Sequence, residues 1–299
     1  MTPAGRLHSG RRRAILDGLF IAGLVALAAT LATAWLDGTG AYDARTYWEA
    51  ARGFMYARPV LGAPNAYYYS PAFVQLLSPL LALPYPVFLA VWYTILGAAL
   101  VAVTRWWLIG ALATVVVGID IIRGNIEMLM ALAIVVGFRY PAAWAFILLT
   151  KVTPGVGLLW FAVRREWRSL TMAVGATLLV VGLSFVFAPG LWFDWIRSLI
   201  DNAAVSIPWP YFPVPLIVRG PIAAAIVAFG ATRNWRWTVP VAAAVGMPAL
   251  WPVNLTILVA VLPLSSRLSR IAGASPTRAS TAPPAGSPEG AMLPEPHQR

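Results

Sequence analysis

Two stretches decide most of what this chain can become: Ala14–Trp35 and Leu170–Ala188 each run for about twenty residues almost without charge. A helix of that length matches the ~30 Å hydrocarbon core of a bilayer. No water is available there to satisfy a peptide group, so a chain crosses as helix or as closed barrel. Barrel strands alternate apolar and polar positions, and these runs do not. Composition points the same way. Hydrophobic residues make up 60% and charged residues 11% of the chain, against ~45–50% and ~25% in soluble domains. The expected fold is all-α, a polytopic transmembrane helical bundle with about 8–10 spans, some of them short or broken.

Residue inventory narrows the chemistry. The chain has no cysteine, and its two histidines, His8 and His297, lie in terminal segments. Thiol nucleophiles, thiolate metal sites and Ser–His mechanisms are therefore set aside, and neither a metal nor a cofactor is expected. Asp, Glu, Arg, Tyr, Asn and a single lysine, Lys151, are left to do any work. The net charge of +11 raises the question of nucleic acid. Its basic residues recur at the ends of apolar runs, however, and form no continuous stripe that could track a phosphate backbone, so no nucleic-acid partner is expected.

Threading the chain as ten crossings from a cytoplasmic N-terminus sorts charge by side. Fifteen basic residues and four acids fall inside, with seven of each outside, so the whole net charge lies on the cytoplasmic face. The implied organisation is a cytoplasmic tail over residues 1–13, a transmembrane domain over 14–265 and a disordered cytoplasmic tail over 266–299. An outer loop, residues 36–69, carries an amphipathic helix at Ala41–Phe54. Pro and Gly then cut the chain into a shallow helix near Ala72–Leu83, a span near Val87–Thr104 and short segments at Trp106–Ile119, Ile126–Phe138, Ala142–Thr150 and Gly155–Val163. After Leu170–Ala188 comes an aromatic loop, Pro189–Pro215, and then segments at Leu216–Gly230, Trp237–Met247 and Ala249–Leu264. The expected location is the plasma membrane of a bacterium, multi-pass, with both termini cytoplasmic and lipids all around.

Candidate functional residues gather on the outer side. Asp43 shares a helix face with Tyr47; it is either a general base over a membrane cavity or an acid at a helix start. Arg123-Gly124-Asn125-Ile126-Glu127 is a polar knot between apolar segments, either a cavity lining or a loop closed by an Arg123–Glu127 pair. Lys151, at a helix break before Pro154, suits a phosphate leaving group or a snorkelling cation. Arg219, ahead of Gly220-Pro221, is a second phosphate candidate. Asn254 begins a glycosylation-type triplet but sits inside an apolar segment.

An ordered set of these residues carries a family resemblance. Asp43 and Tyr47 come first, then Tyr69-Ser70-Pro71, Gly124-Asn125, and Lys151-Val152-Thr153-Pro154 followed by Arg164-Arg165. Over about Ala14–Ala188 the chain resembles glycosyltransferase family 87, bacterial members of the C-type membrane glycosyltransferases. The resemblance implies a polyprenyl-phosphate sugar donor, with mannose the expected sugar, and inverting transfer to a lipid or glycan acceptor on the extracytoplasmic face. It implies Asp43 as the catalytic base and Lys151 as a contact to the donor phosphate. Tyr47, Tyr69, Arg123, Asn125, Glu127 and Arg219 complete the expected substrate contacts. A transporter or flippase, or a non-catalytic membrane scaffold, stands as the alternative: broken helices at membrane depth suit transport, but no internal repeat is visible.

Overall fold

A computed structural model describes residues 40–56, 67–104, 117–118, 120–203 and 214–265, with isolated helical positions between 14 and 36. The expected terminal tails, most of the first span and of Trp106–Ile119, and the second half of the aromatic loop lie outside the described residues. Helices account for the architecture, and no strand occurs among the described residues.

The outer-loop helix α1 spans Tyr42–Glu49 and continues through a wider turn at Ala50–Phe54. Arg52 and Gly53 leave helical geometry there, Gly53 at φ 93°, so the expected continuous helix over Ala41–Phe54 ends in a kink. One face, with Ala44, Thr46, Tyr47 and Ala50, is buried. On the other face Arg45 bonds Glu49 at 2.9 Å, an ordinary exposed i,i+4 pair. Arg52 stacks 3.3 Å over the Trp48 ring, and the Trp48 indole donates to the Leu83 carbonyl at 3.1 Å. These contacts seat the end of α1 on the turn after α2, Pro71–Leu81.

Helix α3, Tyr85–Thr104, has 20 residues. Three short pieces follow. Helix α4 is Glu127–Gly137; a 3-10 turn at Pro141–Ala143 leads into α5, Trp144–Thr150; a second 3-10 segment, Thr153–Leu158, leads into α6, Leu159–Val163. None is long enough to cross a bilayer alone, and each packs in protein, where broken helices at membrane depth are tolerated. Trp144, Trp160 and Phe161 are fully buried among them.

Helix α7, Trp167–Phe187, has 21 residues. It is apolar all round, yet Leu178, Leu179, Leu183 and Val186 are exposed and Phe187 is 82% exposed. A soluble protein hides such a helix in its core; an apolar helix turned outward needs lipid. With α3 it is one of two described helices long and apolar enough to span a membrane; the remaining apolar helices are shorter.

The segment expected as an aromatic loop over Pro189–Pro215 is instead helical in its first half, as α8, Pro189–Ala203. Proline is tolerated in the first turn, and Trp192 and Trp195 fall on one face at i,i+3 spacing. Trp192 donates to the Ser184 hydroxyl at 2.9 Å and Trp195 to the Tyr68 carbonyl at 3.0 Å, folding α8 back over α7. Helices α9, Leu216–Thr232, and α10, Thr238–Val245, form an antiparallel pair. The chain then enters a nine-residue 3-10 segment, Pro252–Ala260, packed along α4, and ends in α11, Val261–Leu264.

Candidate active site

The site is built around the turn entering α4. Gly124 adopts φ +67°, and a Cβ there would sit 2.6 Å from the Ala44 Cβ on α1, so both the backbone twist and the approach of α1 require glycine. The Gly124 carbonyl accepts the Trp92 indole N–H at 2.7 Å. The Ile122 carbonyl accepts both the Tyr93 hydroxyl and the Ala41 amide, at 3.1 and 2.8 Å. Thus α3 clamps the turn from one side and the start of α1 from the other. The free amides at the head of α4 are answered by side chains: the Asn125 Oδ1 accepts from Ile126 N–H at 2.6 Å, and the Asp120 Oδ2 from Met128 N–H at 3.2 Å.

This clamp brings together polar residues far apart in the chain. The Asn125 amide donates to the Asp43 carboxylate at 3.0 Å. Through that bond the Asp43 carboxylate, in the first turn of α1, is tied to the knot. Glu127 is completely buried and ion-paired with Lys151, whose side chain remains 16% exposed. The same Glu127 Oε1 accepts the Asn254 amide at 2.6 Å. Beside them the Tyr47 and Tyr69 hydroxyls meet at 3.3 Å, in a ladder of edge-on rings with Phe73 and Trp92.

Charge and burial act on Asp43 in opposite directions. Burial raises its pKa above the usual carboxylate value. The positive charge of Arg123, the hydrogen bond from Asn125 and the charge of Lys151 pull it back, in that order, and Glu127 adds a smaller push upward. The carboxyl is thus tuned toward neutrality while held among groups that favour its ionised form.

Arg123 is exposed and makes no ion pair with Glu127, which faces Lys151 and Asn254 instead. Arg219 lies elsewhere: its guanidinium is buried and donates to the carbonyls of Val214, Val245, Met247 and Pro248. Two residues of the cluster escape a sequence reading. Asp120 reads as one more outer acid, and Asn254 as a sequon fragment inside an apolar segment. The signal that marks Asn254 is the cost of an amide at membrane depth, which demands a partner.

Separate from this cluster, an apolar cavity of about 210 Å³ lies between α2, α5 and α7, with Phe73, Leu76, Ala145, Phe146 and Leu149 on its walls. It reaches Thr150, the neighbour of Lys151. A larger groove, about 460 Å³, runs beside Leu89, Tyr93 and Ile122 on the other flank of the turn and holds none of the clustered charges.

A model of glycosyltransferase family 87 matches residues 67–274. The chain belongs to glycosyltransferase family 87. No curated protein and no solved structure matches it. The family 87 match extends well past Ala188, where the sequence resemblance was expected to fade, and takes in Arg219 and Asn254. It begins downstream of Asp43 and Tyr47, so the argument for those two rests on geometry. Family membership makes this a glycosyltransferase of membrane setting, which favours that reading over the transporter and scaffold alternatives.

Proposed function

We propose that the protein transfers a sugar, mannose in the first instance, from a polyprenyl-phosphate donor to a lipid or glycan acceptor at the outer face of the plasma membrane, with inversion. The observation that carries this reading is the convergence of Asp43, Asn125, Glu127 and Lys151 on one turn although they span over a hundred residues of sequence. Inverting transfer needs a base on one side of the anomeric carbon and a stabilised leaving group on the other. Asp43 takes the acceptor hydroxyl proton as the acceptor oxygen bonds to the anomeric carbon. The bond from that carbon to the phosphate oxygen breaks, and both its electrons leave on polyprenyl phosphate. Lys151 neutralises that charge; Glu127 takes one of its three N–H donors, and the exposed edge of the side chain leaves the others to a phosphate.

Tyr69, only half-buried, offers its hydroxyl to a sugar, the buried Tyr47 supports it from behind through the bond between the two hydroxyls, and Asn125 holds the base in place. The apolar cavity whose wall includes Thr150, the neighbour of Lys151, favours a lipid-linked donor, since a prenyl chain lying there would have its phosphate close to that lysine. Arg219 drops out of the substrate contacts in this reading, because four of its five donors already serve carbonyls.

The test is transfer from radiolabelled polyprenyl-phosphate mannose in membranes containing the wild type or Asp43→Asn. Wild-type transfer that falls by roughly 10²–10⁴ in the variant, at equal expression, is the expected result, the usual scale of a positioned base. Equal transfer by both would remove Asp43 from the reaction. Absence of transfer by the wild type would overturn the choice of donor.

A further inference from the structure

Asn254 meets the proposed centre at Glu127, and Arg219, which does not touch that centre, is linked to it through a chain of bonds. The loop between α10 and the Pro252–Ala260 segment is held by the Arg219 side chain at its start. From α9, Arg219 reaches the carbonyls of Val245 and Met247, both at 2.7 Å, and of Pro248 at 3.1 Å. A buried guanidinium that answers the open carbonyls at a helix end fixes the backbone that follows. A few residues on, the Trp251 amide donates to the Asn254 Oδ1 at 2.6 Å. That bond sets the orientation of the side chain and turns its NH2 group toward Glu127, whose Oε1 it reaches at 2.6 Å. The same oxygen receives Lys151, while the second oxygen, Oε2, is buried with no partner among the described residues.

Two donors therefore share one acceptor, and the sharing has a consequence for the lysine. With Asn254 present, part of the Glu127 charge is answered by a neutral amide. Without it, the buried carboxylate would lean on Lys151 alone and grip the ammonium more tightly. We infer that Asn254, anchored by Arg219 through the 245–251 loop, is a positioning residue that keeps Lys151 available to an incoming phosphate. The inference rests on the reading of Lys151 as the contact to the donor phosphate, and it gives a role to the C-terminal part of the chain.

Lys151 is the only lysine, so its state can be followed without any sugar donor. Purified full-length protein is treated with limiting amine-reactive ester, and acylation of the peptide containing Lys151 is timed by mass spectrometry, which separates it from the N-terminal amine. Asn254→Ala removes the donor to Glu127, and Asn254→Leu removes it while keeping the packing volume. Both are expected to slow Lys151 acylation on the order of tenfold, the scale of one charge-assisted hydrogen bond. Arg219→Gln, which cannot bridge these carbonyls and adds no second lysine, is expected to move it the same way to a smaller degree. In the transfer assay the two Asn254 variants raise KM for the donor and leave KM for the acceptor unchanged. A purely structural Asn254 would lower the yield of folded protein and leave both Lys151 acylation and the donor KM of the folded fraction at the wild-type values; that result overturns the relay. Slowed acylation in a protein that transfers nothing from the donor would uphold the relay and overturn the function on which it was placed.

Discussion

At the scale of single residues, the balance on Asp43 yields a pH prediction. The proposed base works only as the carboxylate. Burial raises its pKa from the ordinary value, and Arg123 is the largest influence opposing that rise. Arg123→Gln removes the opposing charge, so the carboxyl stays protonated to higher pH. The acid limb of kcat/KM should therefore move upward in pH relative to wild type, with the plateau at higher pH little altered, because Arg123 is exposed and its loss leaves the fold intact. A pH–rate profile on both proteins reads this directly. An acid limb that stays in place would show that another group limits the rate, and a fall at all pH values would make Arg123 a substrate contact instead. The site as a whole was half legible in the sequence. Lone polar residues in apolar surroundings announce themselves by what their burial would cost, which picks out Lys151 and the Arg123–Glu127 knot. Pairing is another matter. Nothing in the spacing says that Glu127 prefers Lys151 to Arg123 four residues away, since that choice depends on how α4 and α5 face each other. Asn254 was hidden for a related reason, its distant partner Glu127 being brought close by the packing of the 3-10 segment on α4.

Among the elements, the joint between α1 and the α4 turn is the place where a small change should undo the site. Gly124→Ala forces an L-residue into the left-handed region, at roughly 1–2 kcal/mol. It also thrusts a methyl to within 2.6 Å of the Ala44 Cβ. The expected outcome is a lower unfolding temperature in detergent together with a loss of transfer, as α1 backs away and the Asp43–Asn125 bond opens. Ala44→Gly in the same chain removes the methyl on the other side. It should recover part of the activity but not the backbone strain, so the double variant lies between Gly124→Ala and wild type in both measurements. Additive losses in the double variant would mean that the contact with Ala44 carries no weight. Element boundaries were readable where chemistry punctuates them. Pro71, Pro141 and Pro154 all open helical segments, and α4 begins within a residue of expectation at Glu127. The segment after Pro189 was misread because its tryptophans suit an interface in either state; only their spacing, three apart, records that they share a helix face.

For the whole molecule, the distribution of charge and the outward-facing apolar helix set up an expected orientation that can be tested. The exposed surface of α7 needs lipid, and a bilayer imposes a side on every loop. The threading puts fifteen of the 22 basic residues on the cytoplasmic face and balances charge on the other. On this orientation α1 and the cluster beneath it face outward, and the turn between α6 and α7 faces the cytoplasm. The chain contains no cysteine, so single introduced thiols report position without background. Arg45 and Arg165 are both exposed, and Arg45 pairs with Glu49 rather than with a residue of the cluster. In intact bacterial cells, Arg45→Cys should react with a membrane-impermeant maleimide, whereas Arg165→Cys should react only after the membrane is permeabilised. The reverse pattern would put the cluster on the cytoplasmic face, where soluble nucleotide sugars are at hand and the case for a lipid-linked donor disappears. Labelling of both sites in intact cells would break the threading between α1 and α7, the stretch in which short helices make the number of crossings hardest to count. Orientation and donor are thus tied: a site that opens away from the cytoplasm needs a sugar already carried across the membrane on lipid, and two thiols are enough to test that dependence.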